Sequence, residues 1–232
     1  IPLVRDSRRK LGETRNVSIR AARGEFVLLH IDADDIWEPF IPTFIQVYHE
    51  ISRRLGLNNF FLSGRQIQIS PRHLLLEYPY RNIYYGEDRV LWNDLMVAGK
   101  IHFLNHTTFR TRIPLSTPAK RLWKMFSSIY SSIFTSISLS PTPLLTLFEL
   151  YRGILYNSNF SPTSKIYQFL ILPITFIHGV FLCRHPFINQ AKWPPSSSLY
   201  IDLLALESKT CDQFGSFPLS STERSIFFPS NS

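Results

Sequence analysis

With 232 residues, 25 Lys and Arg against 17 Asp and Glu, and a formal charge of +8, the chain has room for one domain plus an appendage. The basic balance fits phosphorylated substrates or an anionic surface. No zinc-ligand spacing or RNA-binding aromatic motif accompanies it, so nucleic acid is not an expected partner, and two distant cysteines, Cys183 and Cys211, exclude a disulfide framework and leave a reducing compartment as the default.

Residues 1–23 are basic, with Arg5, Arg8, Arg9, Lys10, Arg15, Arg20 and Arg23 against Asp6 and Glu13. Most of these read as a solvated helix face. Gly24 then opens an apolar run, Phe26 to Ile31, with β-branched and aromatic members, which predicts a buried strand. The run stops in three carboxylates within four residues, Asp32, Asp34 and Asp35. α/β folds bind ligands at the carboxyl edge of their strands. Crowded carboxylates there suit a divalent cation carrying a phosphorylated substrate, and this reading is preferred to a plain acidic turn. His30, inside the run, is expected to be packed.

Ile41, Phe44, Ile45, Tyr48, Ile51 and Leu55 recur at helical spacing, so a helix is expected from Pro39 to Leu55, stopped by Gly56. Short strands are expected over Asn59–Ser63 and Gln66–Ile69. Ser70-Pro71 reads as an N-cap and first helical residue of a helix reaching Glu77. Glu87 and Asp88 open another helix, with Leu91, Leu95 and Ala98 as its buried face, and Lys100–Leu104 returns as a strand. Alone, Glu87-Asp88 is helix capping. Trp92 and His106 read as packed, Arg110 and Arg112 as solvated or phosphate-facing, and Ser63-Gly64-Arg65 as a border of an acceptor site.

Beyond Arg112 the character changes. Lys120, Arg121 and Lys124 precede an uncharged run, Met125–Phe148, broken by Pro141 and Pro143. A second uncharged run, Ile166–Cys183, is just long enough at about 1.5 Å per residue for a bilayer core of roughly 30 Å. Residues 116–190 are therefore expected to form a hydrophobic, membrane-associated helical region, either spanning or as a re-entrant hairpin. The basic flanks place its ends on the cytoplasmic side. Residues 191–232, rich in Ser, Pro and Phe, are expected to be a poorly ordered tail.

Taken together, Gly12-Glu13-Thr14-Arg15-Asn16, Ala21-Ala22-Arg23-Gly24-Glu25-Phe26-Val27 and Asp32-Ala33-Asp34-Asp35 resemble the nucleotide-sugar half of glycosyltransferase family 2, over about 25 residues. Gly86-Glu87-Asp88, about 50 residues further on, resembles that family's second signature, with Leu91 at its end. The resemblance implies an α/β GT-A (Rossmann-like) domain over residues 1–115. It also implies two strands and their helices ahead of Arg15, so the chain reads as N-terminally truncated.

The implied reaction is an inverting transfer of a sugar from a nucleoside diphosphate sugar to a hydroxyl acceptor, possible acceptors being a lipid-linked or cell-surface glycan. The roles implied are Asp88 as base, Asp32 and Asp34 as ligands of Mn²⁺ or Mg²⁺, and Arg15, Asn16, Asp32 and Glu87 as substrate contacts. Such a transfer needs one carboxylate to take the acceptor proton and a separate site to hold the leaving diphosphate, and the chain has two acidic clusters. Two rivals stay open: a membrane-associated relic of this fold without activity, and a phosphoacceptor domain, which leaves Glu87-Asp88 unexplained.

Overall fold

The computed structural model describes residues 11–31, 35–83, 86–113, 117–156, 161–182 and 195–229. They form two compact units. One gathers residues 1–81, 90–113 and 191–232, and the other residues 82–89 and 114–190.

The first unit is mixed α/β. Helix α1 (Leu11–Ala21) leads into β1 (Phe26–Leu29) and β2 (Asp35–Trp37). Helix α2 (Ile41–Leu55) follows as the periodicity requires, burying Phe44, Val47, Tyr48 and Ile51. Gly56 ends it at φ 64°, the left-handed geometry glycine adopts without steric cost. Then come β3 (Phe61–Gly64), β4 (Gln68–Pro71), α3 (Arg72–Glu77), α4 (Glu87–Val97), β5 (Ile101–Leu104) and β6 (Arg110–Arg112). After the second unit the chain returns as β7 (Tyr200–Ile201), α8 (Leu203–Phe214) and α9 (Ser221–Phe227).

The main sheet has the order β1-β4-β3-β5-β7. β4 runs antiparallel to β1 and β3, while β3, β5 and β7 are parallel, so β1, β3, β5 and β7 all point one way. Leu29, Gln68, Ser63, Phe103 and Tyr200 stand in one register row across it. Alternation along the strands divides two cores. Leu62 and Leu104 join Phe44, Tyr48 and Ile51 of α2, whereas Phe61, Ile101 and Phe103 join Ile19, Leu75, Leu91 and Leu95 from α1, α3 and α4. The result is a sheet covered on both faces, as parallel strands demand.

Three expectations are corrected. β1 ends at Leu29, because His30 takes φ 65°, a left-handed conformation rare outside glycine that turns the chain out of the strand. Ser70 and Pro71 belong to β4, and the helix starts one residue later with Pro71 as its N-cap. The expected tail is folded from residue 195 to 229. Leu203, Leu206, Phe217 and Phe227 are buried in the α2 core. Asp202 caps α8, and Ser220 and Glu223 form a reciprocal capping box on α9.

The second unit contains α5 (Pro118–Ser138), α6 (Pro143–Tyr156) and α7 (Pro162–Ile177), the last continuing as a π-helical turn, His178–Leu182. Ile133, Ile137, Ile154 and Leu172 form its core. Pro141 separates α5 from α6, and Ser140 Oγ accepts a hydrogen bond from Thr142 N–H in the break. Among the described residues, Pro162–Phe181 is the one helix long and apolar enough to cross a bilayer by length and composition.

Candidate functional site

Because β1, β3 and β5 share a direction, their carboxyl ends lie along one edge of the sheet. His30 and Ile31 leave from the first, Arg65 from the second, and Asn105 and His106 from the third. Asp32 and Asp34, which continue from Ile31, lie outside the described residues. Arg15 on α1 reaches this edge: its guanidinium donates to His30 Nε2 at 3.3 Å and lies 5.2 Å from the centre of the Tyr80 ring. A positive charge therefore stands beside the start of the acidic segment.

Asn16 does something else. Its Nδ2 donates to Tyr80 O at 2.7 Å, and its Oδ1 accepts from Tyr80 N–H at 2.9 Å. Both functions of the amide are spent on backbone, so Asn16 holds the Tyr80 segment to α1. Gly12 belongs to the same junction, since a Cβ there would sit 1.9 Å from Arg81 O. The Gly12…Arg15-Asn16 motif is thus a packing device with one side chain, Arg15, left for the sheet edge.

Asp35 is separated from its acidic neighbours by its role. It opens β2, which pairs with β6 so that Asp35 faces Arg112 and Trp37 faces Arg110. Its side chain is fully buried, accepting from Arg110 Nη1 at 2.9 Å and Arg112 Nε at 3.2 Å. The third carboxylate is therefore engaged within the ribbon by two guanidinium groups. No cluster of three His, Cys, Asp or Glu that could hold a metal is found among the described residues.

A cavity of about 420 Å³ opens at the ends of β3 and β5, with Arg65, Trp92, Phe103, Asn105, His106 and Tyr200 among its walls. Phe103 packs edge-on to Trp92 at 6.2 Å and lies 5.3 Å from Tyr200. Rings, a guanidinium and an amide are the usual lining of a pocket for a polar organic ligand. His106 is structural here. Its Nε2 accepts from Arg65 N–H at 3.0 Å and its Nδ1 lies 2.7 Å from Thr107 O, which sets the Nδ1–H tautomer. Burial, helped by the charge of Arg65, pushes its pKa down, so the ring is kept neutral.

Glu87 and Asp88 open α4, with Glu87 buried and Asp88 half-buried. Gly86 before them has φ 75°, and a Cβ there would lie 2.4 Å from Thr135 Cγ2. Glycine is thus required on both conformational and steric grounds. The later turns of α4 bury Leu91 and Leu95 beside Ile101 and Phe103.

Sequence reading missed Tyr200 as a cavity residue. It is joined to Phe103 only by β5–β7 pairing, roughly a hundred residues away in the chain, and no local pattern signals that contact. Trp92 packs against the core as expected and also forms a wall of the cavity. No family model, curated protein or solved structure matches this chain.

Proposed function

We propose that the chain is a GT-A glycosyltransferase of the family 2 type, moving a sugar from a nucleoside diphosphate sugar to a hydroxyl acceptor with inversion. The observation that carries the reading is the shared sheet edge. The end of β1, from which the chain runs on toward Asp32 and Asp34, the Arg15 guanidinium beside His30 and the Arg65–Trp92 cavity all belong to it. Donor phosphates and an acceptor need adjacent sites of these opposite characters.

In this reading Arg15 offsets charge on the departing diphosphate. Asp88 takes the proton from the acceptor hydroxyl, whose oxygen attacks the anomeric carbon opposite the leaving group. Asp32 and Asp34 would hold Mn²⁺ or Mg²⁺, which when bound stabilises the diphosphate as it leaves. The ring-lined cavity suits the acceptor, since pyranose faces are apolar and pack on aromatic rings. The helical unit would keep the transfer domain at the cytoplasmic face of a membrane, beside a lipid-linked or cell-surface glycan acceptor.

Titration calorimetry of the whole chain against a panel of nucleoside diphosphate sugars, with and without Mn²⁺, tests this. Metal-dependent binding that falls about tenfold or more in Asp34→Asn, a loss of about 1.4 kcal/mol or more, supports it. Absence of binding across the panel overturns it in favour of a membrane-associated relic without activity.

A further inference from the structure

Helix α7 has its polarity reversed. α7 turns Ser164, Gln168, Leu172 and Thr175 inward and buries them. Its outward positions are Ile166, Phe169, Leu170, Ile174 and Ile177, with Phe181 on the π turn, and all are exposed. The inward polar groups are satisfied. Gln168 Nε2 donates to Ser164 Oγ at 2.9 Å, and Thr175 Oγ1 donates to the carbonyls of Ile171 and Leu172 at 3.0 and 2.9 Å. α5 contributes buried Thr135 and Ser138 beside Ile133 and Ile137, while α6 buries Ile154 and exposes Leu144, Leu145, Phe148 and Leu155.

Water selects the opposite arrangement, with apolar stripes facing the core and polar residues outside. Hydrocarbon removes that preference, and helices within it associate through small and hydrogen-bonding side chains. We infer that the outward faces of α6 and α7 are embedded in the hydrocarbon of a lipid bilayer.

Charge agrees with this occupant. From Pro114 to Leu182 the charged residues are Lys120, Arg121, Lys124, Arg152 and Lys165 against Glu149 alone. Trp123, 76% exposed beside Lys124, is the side-chain pair that favours a bilayer's polar interface. The 14 residues of α6 cover about 21 Å, short of the roughly 30 Å hydrocarbon core, so α6 enters the bilayer without crossing it. A second copy of this chain, the other possible cover, offers no opposite charge to the basic excess. The inference deepens the membrane half of the proposed function and is independent of its sugar-transfer half.

The test is flotation of the full chain on neutral phosphatidylcholine vesicles and on vesicles containing phosphatidylglycerol, followed by a wash at about 1 M salt, where the Debye length is ~3 Å. The chain is expected to float with both and to survive the wash. Phe169→Asp with Ile174→Asp should cut the floated fraction about tenfold or more, since carboxylates are costly in hydrocarbon, while helical circular dichroism is retained because both sites are exposed. Gln168→Leu, on the inward seam, should float like the parent. Failure to float on neutral vesicles, release by salt, or a soluble dimer that the double Asp variant dissociates would overturn the inference. The parent chain on neutral vesicles decides the matter even if a variant fails to fold. Nucleotide-sugar binding is read separately, so either half of the proposed function can fail alone.

Discussion

Asn16 closes on the main chain of Tyr80 from both sides, donating to its carbonyl at 2.7 Å and accepting from its N–H at 2.9 Å. Two net hydrogen bonds contribute about 2 kcal/mol. Asn16→Ala should therefore lower the urea midpoint by about that free energy. Asn16→Asp keeps the acceptor but sets a carboxylate against Tyr80 O, and should recover none of the loss. Donor affinity, measured on the folded fraction, should change little in Asn16→Ala. A drop in affinity without a drop in stability would return Asn16 to the substrate.

On the proposed function the acidic run divides by role. Asp35 is buried between Arg110 and Arg112, so Asp35→Asn should destabilise the β2–β6 ribbon by about 2 kcal/mol, the scale of charge-assisted hydrogen bonds, and leave metal affinity nearly unchanged. Asp34→Asn should do the reverse. Parallel urea titration and Mn²⁺ calorimetry on the two variants separate the roles, and matching profiles would show that the run acts as one cluster.

Asp88→Asn keeps the shape of the side chain and removes the proton acceptor. If Asp88 is the base, turnover falls by roughly 10²–10⁴ with donor affinity nearly constant. Loss of donor affinity at unchanged turnover would make it a binding residue instead.

Local patterns in the chain carried much of this architecture. α2 is legible because Phe44, Tyr48 and Ile51 fall on one helical face and Gly56 supplies the left-handed stop. β1 is legible from its apolar run, although its end is set by the left-handed His30, which no residue preference announces. The burial of Asp35 is not legible locally, since it depends on Arg110 and Arg112 arriving on a paired strand. The final segment was misjudged on composition. Its Ser and Pro content resembles a tail, yet Ser220-Ser221-Thr222-Glu223 carries the capping-box spacing and Asp202 precedes an apolar Leu203 and Leu206. Those were the available signals. The reversed polarity of α7 was not among them, because sequence periodicity shows that two faces differ but not which one is buried.

Acid should destabilise the first unit in two steps. Burial lowers the pKa of His106 and of His102 below the ordinary 6.5. Below that value the unfolded chain binds protons that the native chain refuses, so stability present above about pH 6.5 is lost as pH falls toward the lowered native values. Glu207, held by the Arg224 guanidinium, and Glu223, held by the Thr43 hydroxyl, are depressed below 4.5. Their contribution is present above pH 4.5 and disappears as pH falls through the native values. Urea midpoints across pH should show both windows, and His106→Gln should shrink the upper one while leaving the lower.

The C-terminal segment gives the sharpest contrast between a tail and a structural element. Phe227 is buried among aromatic rings, with centroids 6.5 Å from Phe44, 5.9 Å from Phe109 and 5.7 Å from His106. Leu206 and Phe217 line the same core, and Arg54 of α2 stacks 4.2 Å from the Phe217 ring centre. Glu207 ties the segment together, receiving Arg224 Nη1 at 2.9 Å and Phe217 N–H at 2.6 Å. Thr43 on α2 donates to Glu223 at 2.6 Å. A disordered tail could be removed without cost. Here removal would take Leu203, Leu206, Phe217 and Phe227 from the core that α2 shares with the sheet, and β7 from the edge of β5. Phe227→Ala should cost about 3–5 kcal/mol, the range for an aromatic deleted from a packed core. Cutting the chain after Pro195 should abolish the cooperative unfolding transition of the first unit. A truncated chain that kept the parent's urea midpoint and near-ultraviolet dichroism would show that α8 and α9 only rest against the core, and the Phe227→Ala loss would then have to vanish with it.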